Sequence, residues 1–294
     1  MSRDRLTRPR RVLLVTHLWC GLSLGFYLVV ISVSGSVIVY RNELRAAFQP
    51  QPRTVEVTGP RLTEDELIEA GQAAYPQHEV FVYAVPDDPL HAVSLGVNRG
   101  ESRRQILFDP YTGEDLGNAV PFGWHATTWL IDLHGTLLGG SVGKRINGVA
   151  ALLFLVLVGS GFVLWWPGAR RLLRGLRIEH DRGVRRFLFT LHGTVGALSL
   201  ALLLLWGITG LYLTFPEPFS AAADWIEPLD EESFEPRFVD DVLYWIANVH
   251  FGRFGGGPTK LAWAAFGLAP VALSATGAAL WWQRKRHVRS GTRV

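Results

Sequence analysis

One cysteine and one methionine are all the sulfur this chain carries. The cysteine is Cys20, so neither a disulfide framework nor a CxxC metal site nor a CxxCH haem attachment can be built. The methionine is Met1, which removes methionine as an axial haem ligand. No GxGxxG fingerprint is present, so the chain has no nicotinamide or flavin domain of that type. Charge is also scarce: 19% of the 294 residues are charged, against 48% apolar. Residues 12–40, 146–169, 187–216 and 261–283 contain no Asp, Glu, Lys or Arg at all. About 20 apolar residues cross a bilayer as a helix, so each stretch reads as a transmembrane span rather than the buried helix of a soluble domain. The first is too long for the apolar region of a cleavable signal peptide and no small-residue cleavage site follows it, which makes it a retained span.

What charge there is sets an orientation. Basic residues concentrate in three segments: Arg3, Arg5, Arg8, Arg10 and Arg11 at the start, seven arginines in residues 167–186, and Arg284, Lys285, Arg286, Arg289 and Arg293 at the end. The same segments hold only Asp4, Glu179 and Asp181 as acids, while residues 41–145 and 216–260 are net acidic. By the positive-inside rule both termini and the middle loop are cytoplasmic, in what would be a bacterial inner membrane. Trp165, Trp166, Trp281 and Trp282 then fall at the inner interface. The pI near 9.2 reflects this layout and implies no nucleic-acid partner, only membrane lipid.

The expected order is a basic N-terminus (1–11), helix 1 (12–40), an outer domain (41–127), an interfacial histidine segment (128–145), helix 2 (146–166), a basic loop (167–186), helix 3 (187–215), a short outer segment (216–260), helix 4 (261–283) and a tail (284–294). Within 41–127, residues 62–75 read as an amphipathic helix with Thr63 as N-cap and Glu66 completing a capping box. Residues 80–85, 91–97 and 105–109 have strand composition, giving a small α+β domain.

The chain repeats itself. Shifted by 175 residues, His17, Gly21 and Gly35 fall on His192, Gly196 and Gly210. Shifted by 116, His134, Gly139, Gly140, Lys144, Gly161, Leu164, Trp165, Trp166 and Arg170 fall on His250, Gly255, Gly256, Lys260, Gly277, Leu280, Trp281, Trp282 and Arg286. The fold class expected is therefore mainly α and integral to the membrane: four transmembrane helices as two hairpins in parallel repeat. His17 and His192 share one depth near the cytoplasmic end, and His134 and His250 share another at the outer side. Two facing histidines at each of two depths suit two haems of the b type with bis-imidazole ligation. Gly21 and Gly196 lie one turn beyond their histidines on the same face, where a porphyrin needs space. Gly35, Gly161, Gly210 and Gly277 read as close helix packing. Lys144 and Lys260 suit either interfacial anchoring or a haem propionate. A zinc site is the weaker alternative, and His125 stands as a reserve ligand. Cys20 reads as packing.

The stretches DLHGTLLGG from Asp132, VGSGFVLWWP from Val158, and LHGTVG from Leu191 with ITG ending at Gly210 resemble the PepSY-associated transmembrane family. The outer segment, ending in FDPYTGE from Phe108, is similar to a PepSY domain. The resemblance covers nearly the whole chain. It implies an inner-membrane haem protein and, in several members, a reductase that takes iron from ferric siderophores on the periplasmic side, with His17, His134, His192 and His250 at the family's histidine motifs. Many members are longer between spans three and four. The function expected is electron transfer from a quinol or a separate donor protein to a ferric siderophore or other periplasmic acceptor. The alternative is a non-catalytic, membrane-anchored binding or regulatory module for a peptidase or transporter partner.

Overall fold

The computed structural model describes residues 8–100, 102–228 and 237–290. Arg3, Arg5 and Arg293 lie outside the described residues, as do the side chains of His287 and Arg289. Helix α1 (Arg8–Ile38) opens the chain, followed by α2 (Arg41–Ala47) and α3 (Glu64–Ala74). Four strands come next: β1 (Glu79–Ala84), β2 (Val93–Arg99), β3 (Ser102–Phe108) and β4 (Asp115–Asn118). The rest is helical: α4 (Phe122–Thr136), α5 (Gly140–Trp165), α6 (Leu172–Gly175), α7 (Val184–Thr214), α8 (Pro216–Ile226), α9 (Phe238–His250), α10 (Gly256–Gly267) and α11 (Ala269–Ser290). The chain forms two compact units. One comprises the residues up to Tyr40 with those from Leu130 onward, the other Arg41–Trp129.

The first unit is a helical bundle. Among the described residues four helices are long and apolar enough to cross a membrane: α1, α5, α7 and the α10–α11 pair. α1 packs on α5 and α11, and α7 packs on the same two, so the helices form a ring with α1 and α7 on one diagonal. The bundle is apolar outside and mixed within, where Leu24, Leu28, Val158 and Leu203 are buried beside small polar residues. Phe26, Phe189, Leu198 and Leu261 stand more than half exposed on its outside, while Ser34, Ser199, Thr209, Ser160, Thr194 and Thr276 are buried within. Lipid solvates the large apolar side chains, so small residues face inward, where they let helices approach closely. The fourth span is interrupted. Leu268 separates α10 from α11, because Pro270 has no N–H to continue the ladder and restarts the helix at its first turn.

The second unit is an α+β domain. Its sheet runs in the order β1-β2-β3-β4, every pair antiparallel. Val80, Val93, Leu95, Val97, Ile106 and Phe108 form one apolar face, covered by Leu67 of α3. Gly71 lets α3 settle that close, since a Cβ there would stand 2.8 Å from Val80 Cγ1 and 2.9 Å from Leu95 Cδ1. Strand β4 has a poor strand sequence, Asp115, Leu116, Gly117 and Asn118, and is not expected from composition. It forms because the turn after β3 delivers it in register, with Ile106 opposite Asn118. Asp109 shapes that turn by accepting the N–H groups of Tyr111 (2.8 Å) and Thr112 (3.2 Å), and Gly113 completes it at φ 72°.

Helix α3 begins with the full capping box: Thr63 Oγ1 accepts from the Glu66 N–H, and the Glu66 carboxylate accepts from the Thr63 N–H at 2.8 Å. These bonds to Thr63 hold the Glu66 carboxyl below its ordinary range. A depressed acid stabilises above its unfolded pKa, and that contribution is lost as pH falls through the depressed value. Amide exchange of α3 in the intact protein should therefore quicken in acid. Thr63→Ala should weaken the helix by about 1 kcal/mol but keep most of that acid dependence, because the backbone N–H of residue 63, the larger of the two bonds' effects on Glu66, remains.

Candidate functional site

A histidine inside an apolar bundle needs a partner for its ring N–H. The four histidines matched by the repeat all have one, of the same kind. His17 of α1 places Nδ1 3.2 Å from Ser160 Oγ and 3.1 Å from the Leu157 carbonyl, both on α5. His192 of α7 places Nδ1 2.8 Å from Thr276 Oγ1 of α11. His134 of α4 reaches α1, with Nδ1 3.3 Å from Ser34 Oγ and 3.0 Å from the Ile31 carbonyl. His250, the last residue of α9, reaches α7, with Nδ1 2.7 Å from Thr209 Oγ1.

The hydroxyls fix the tautomer. Each donates its own proton to a carbonyl of its own helix: Ser34 to Val30, Thr209 to Leu205 and Thr276 to Ala272 at 2.7 Å, and Ser160 to Leu157 at 2.9 Å. A hydroxyl so committed can only accept from the imidazole. Nδ1 therefore carries the ring proton and Nε2 the lone pair in all four rings. An Nδ1–H held by the protein, with Nε2 as the basic nitrogen, is the state that a metal-ligating histidine requires.

A glycine follows each hydroxyl residue, and the ring lies over it. A Cβ on Gly35 would stand 2.8 Å from His134 Cε1, and one on Gly161 2.9 Å from His17 Cε1. At Gly210 and Gly277 the same distances, to His250 and His192, are 3.7 and 3.5 Å. These four glycines thus seat imidazoles, a more specific task than the helix packing expected of them. The hydroxyls obey the same repeat, since Ser34 shifts onto Thr209 and Ser160 onto Thr276. Their signal, a Ser or Thr before each repeated glycine, is in the sequence but escapes a search for identical residues.

The rings meet in two pairs. His17 and His192 face each other across the bundle diagonal with ring centres 6.2 Å apart and planes at 90°. His134 and His250 have ring centres 6.4 Å apart and planes at 59°. The two levels are separated along α1, from His17 to Ser34, by roughly 25 Å of helix rise, and the same interval on α7 separates His192 from Thr209. Ring centres at these separations leave room for a metal ion between the two imidazoles, whose bonds to it would be about 2.0–2.1 Å long. Among the described residues no group of three or more His, Cys, Asp or Glu gathers to hold a metal. A zinc ion, which takes three or four protein ligands, is therefore poorly served, whereas a haem, whose iron is already held by the macrocycle, would ask only for one pair of histidines at each level.

The other candidates fall as follows. Gly21 and Gly196 sit beside their histidines in nearly open space: a Cβ would meet only Leu157 Cδ1 and Leu273 Cδ2, each at 3.6 Å. Lys144 and Lys260 occupy the opening turns of α5 and α10, half-buried. His125 lies in the first turn of α4, in the portion that belongs to the other unit. Cys20 is a half-buried free thiol.

With the geometry in place, the chain matches the family model described as the PepSY-associated TM region over residues 14–237 and 227–284. Among curated proteins none matches the chain.

The glycine distances generate a graded expectation. Gly35→Ala and Gly161→Ala should each displace an imidazole, because the added methyl would stand 2.8 and 2.9 Å from its ring. Gly210→Ala and Gly277→Ala, where the methyl meets ordinary contact distances, should leave the ring in place. The ring 15N shifts of the histidines in the four purified variants check the order.

Proposed function

The chain belongs to the PepSY-associated transmembrane family, and on that premise we propose that it is an inner-membrane oxidoreductase with two b-type haems. His17 and His192 hold one haem, and His134 and His250 the other. The observation that supports this reading best is the pair of ring separations, 6.2 and 6.4 Å, made by imidazoles whose Nε2 carries the lone pair. Haem supplies one-electron transfer; the chain decides where that chemistry sits and in what surroundings. Serine and threonine hydroxyls hold the Nδ1 protons and so keep each imidazole oriented and its Nε2 basic. Glycines admit the rings against the helices, and Gly21 and Gly196 keep room beside the His17 and His192 rings. Lys144 and Lys260 are placed to anchor the opening turns of their helices or to meet haem propionates.

The direction of transfer follows from charge. Arg170, Arg171, Arg174, Arg177 and Arg185 have no ion-pair partner among the described residues, whereas Glu179 is bound by Arg186 at 2.8 Å and approached by Arg182. Arg186 holds the Glu179 carboxyl below its ordinary range. The middle loop is thus strongly basic and belongs on the cytoplasmic side, as do both termini. The His17–His192 level then lies near the cytoplasm and the His134–His250 level near the periplasm, and the Arg41–Trp129 unit is a periplasmic PepSY-like domain. The acceptor is Fe(III) held by a siderophore. One electron converts it to Fe(II), which hard oxygen ligands bind less tightly, so the iron is released. The donor is a quinol or a separate protein, since the loop between α5 and α7 is too short for a flavin or nicotinamide domain.

A visible spectrum of the purified protein is the first test. It should show a Soret band and an α-band that sharpens on reduction; a colourless protein would favour the non-catalytic binding module instead. His17→Ala and His192→Ala should each remove one haem and leave the other, as should His134→Ala and His250→Ala, with loss of ferric-siderophore reduction. Loss of both haems from any single variant would contradict two separate pairs. In a Cys20→Ser background, a cysteine placed at Ser102 should react with a membrane-impermeant maleimide in spheroplasts, and one at Ser290 only after lysis.

A further inference from the structure

The ring of each outer histidine is held by a hydroxyl, but a ring is only as well placed as the backbone that carries it. His134 lies in the last turn of α4, where carbonyls have no partner within the helix. In apolar surroundings an unpaired carbonyl is costly, so something must bind it. That group is Asn147 of α5, whose Nδ2 donates to the His134 carbonyl at 2.7 Å and to the Gly135 carbonyl at 3.1 Å. Its Oδ1 in turn accepts the hydroxyl of Tyr27 on α1, which fixes the amide with its NH2 toward α4. The chain turns back abruptly enough for α5 to reach the end of α4, through Leu137 and Leu138 at φ 51° and 59°. Both are left-handed, a conformation unfavourable to a side chain. His134 is therefore gripped at both ends: its ring by Ser34 and Ile31 of α1, and its main chain by Asn147, itself tied to α1 through Tyr27.

The second repeat does the same with different chemistry. Shifted by 116, Asn147 becomes Trp263; shifted by 175, Tyr27 becomes Leu202 and Ile31 becomes Trp206. Trp263 Nε1 donates to the Val249 carbonyl at 2.8 Å, in the last turn of α9 beside His250. The indole is steadied by aromatic edges in place of a hydroxyl. Trp206 of α7 meets it at 6.1 Å and 90°, and Phe254 at 5.1 Å and 81°. A side-chain N–H from the following span thus caps the histidine-bearing helix in each half, through an amide backed by a phenol on one side and an indole backed by rings on the other.

We infer that Asn147 and Trp263 are positioning residues for the His134–His250 pair, and that Tyr27 acts on the same pair through Asn147. They touch neither haem nor acceptor in this assignment; they set the depth and direction of the two imidazoles. The inference rests on the di-haem reading for its spectroscopic readout only. Redox titration of the full-length protein in lipid nanodiscs, followed at the α-band, should resolve two one-electron steps. His134→Ala identifies which belongs to the outer pair. Asn147→Leu and Trp263→Phe should each shift that step, or remove up to half of the bound haem, and leave the other step at its wild-type position. Tyr27→Phe should shift the same step in the same direction as Asn147→Leu but less. Asn147→Gln, which keeps an amide donor, should recover part of the wild-type behaviour. A general loss of packing would move both steps together, and that result overturns the inference, as does an unchanged outer step or a Gln variant no better than Leu. If the wild-type protein carries no haem, the proposed function fails by itself. The positioning role is then decided by the ring 15N shifts of the haem-free protein: those of His134 and His250 must move in the Asn147→Leu and Trp263→Phe variants while those of His17 and His192 stay, and any other pattern overturns it.

Discussion

The bundle depends on one contact made four times: an imidazole Nδ1–H given to a Ser or Thr hydroxyl, with the ring lying on the glycine that follows. A neutral imidazole buried in an apolar bundle has one N–H to satisfy and one lone pair to use. Because Ser34, Ser160, Thr209 and Thr276 donate their own protons to their helix carbonyls, each can only receive. The proton is thereby confined to one nitrogen, and the other keeps its lone pair. Helix proximity follows from the same contact, since each histidine joins two helices: α1 to α5, α7 to α11, α4 to α1 and α9 to α7. Those joints repeat with the two halves of the chain.

The exterior and interior of the bundle answer to different solvents. Lipid accepts Phe26, Leu198 or Leu261 on the outside at no cost, which frees the interior from having to be apolar and bulky. The interior collects Gly, Ser and Thr beside Leu24, Leu28, Val158 and Leu203. Close approach is then possible at Gly207 against Leu155 and at Gly267 against Ser36, while the α1–α7 diagonal is kept for the two histidine levels. A soluble bundle would fill that diagonal with Leu and Ile, and no pair of facing imidazoles could be afforded.

The two halves share a plan but not its details. The seat of His134 is tighter than that of His250, and the seat of His17 tighter than that of His192, by about the difference between a clash and a contact. The helix ends carrying His134 and His250 are capped by an amide in one half and an indole in the other. Between α1 and α4 the chain makes a whole α+β unit, whereas between α7 and α9 the described residues form α8. The two halves thus share the contact between imidazole and hydroxyl and differ in the surroundings of each ring.

Much of this is readable from the sequence, for identifiable reasons. Uncharged stretches long enough to span a bilayer mark α1, α5, α7 and α10–α11 because a membrane-spanning helix must be apolar along its length. The repeated histidines announce which rings belong together because a gapless repeat carries equivalent residues to equivalent depths. Thr63 and Glu66 mark the start of α3 because a capping box is local. The rest needed three dimensions. Strand β4 has no strand composition and exists through its register with β3. The break at Leu268 could have been read from Pro270, but the apolar run conceals it. That Ser34, Ser160, Thr209 and Thr276 hold the rings, that Gly35 and Gly161 are filled to the limit while Gly210 and Gly277 are not, and that Asn147 and Trp263 do one job with different atoms were decided by the tertiary structure. Each is a contact between helices far apart in the chain, and its distance depends on how those helices cross, which no single segment encodes.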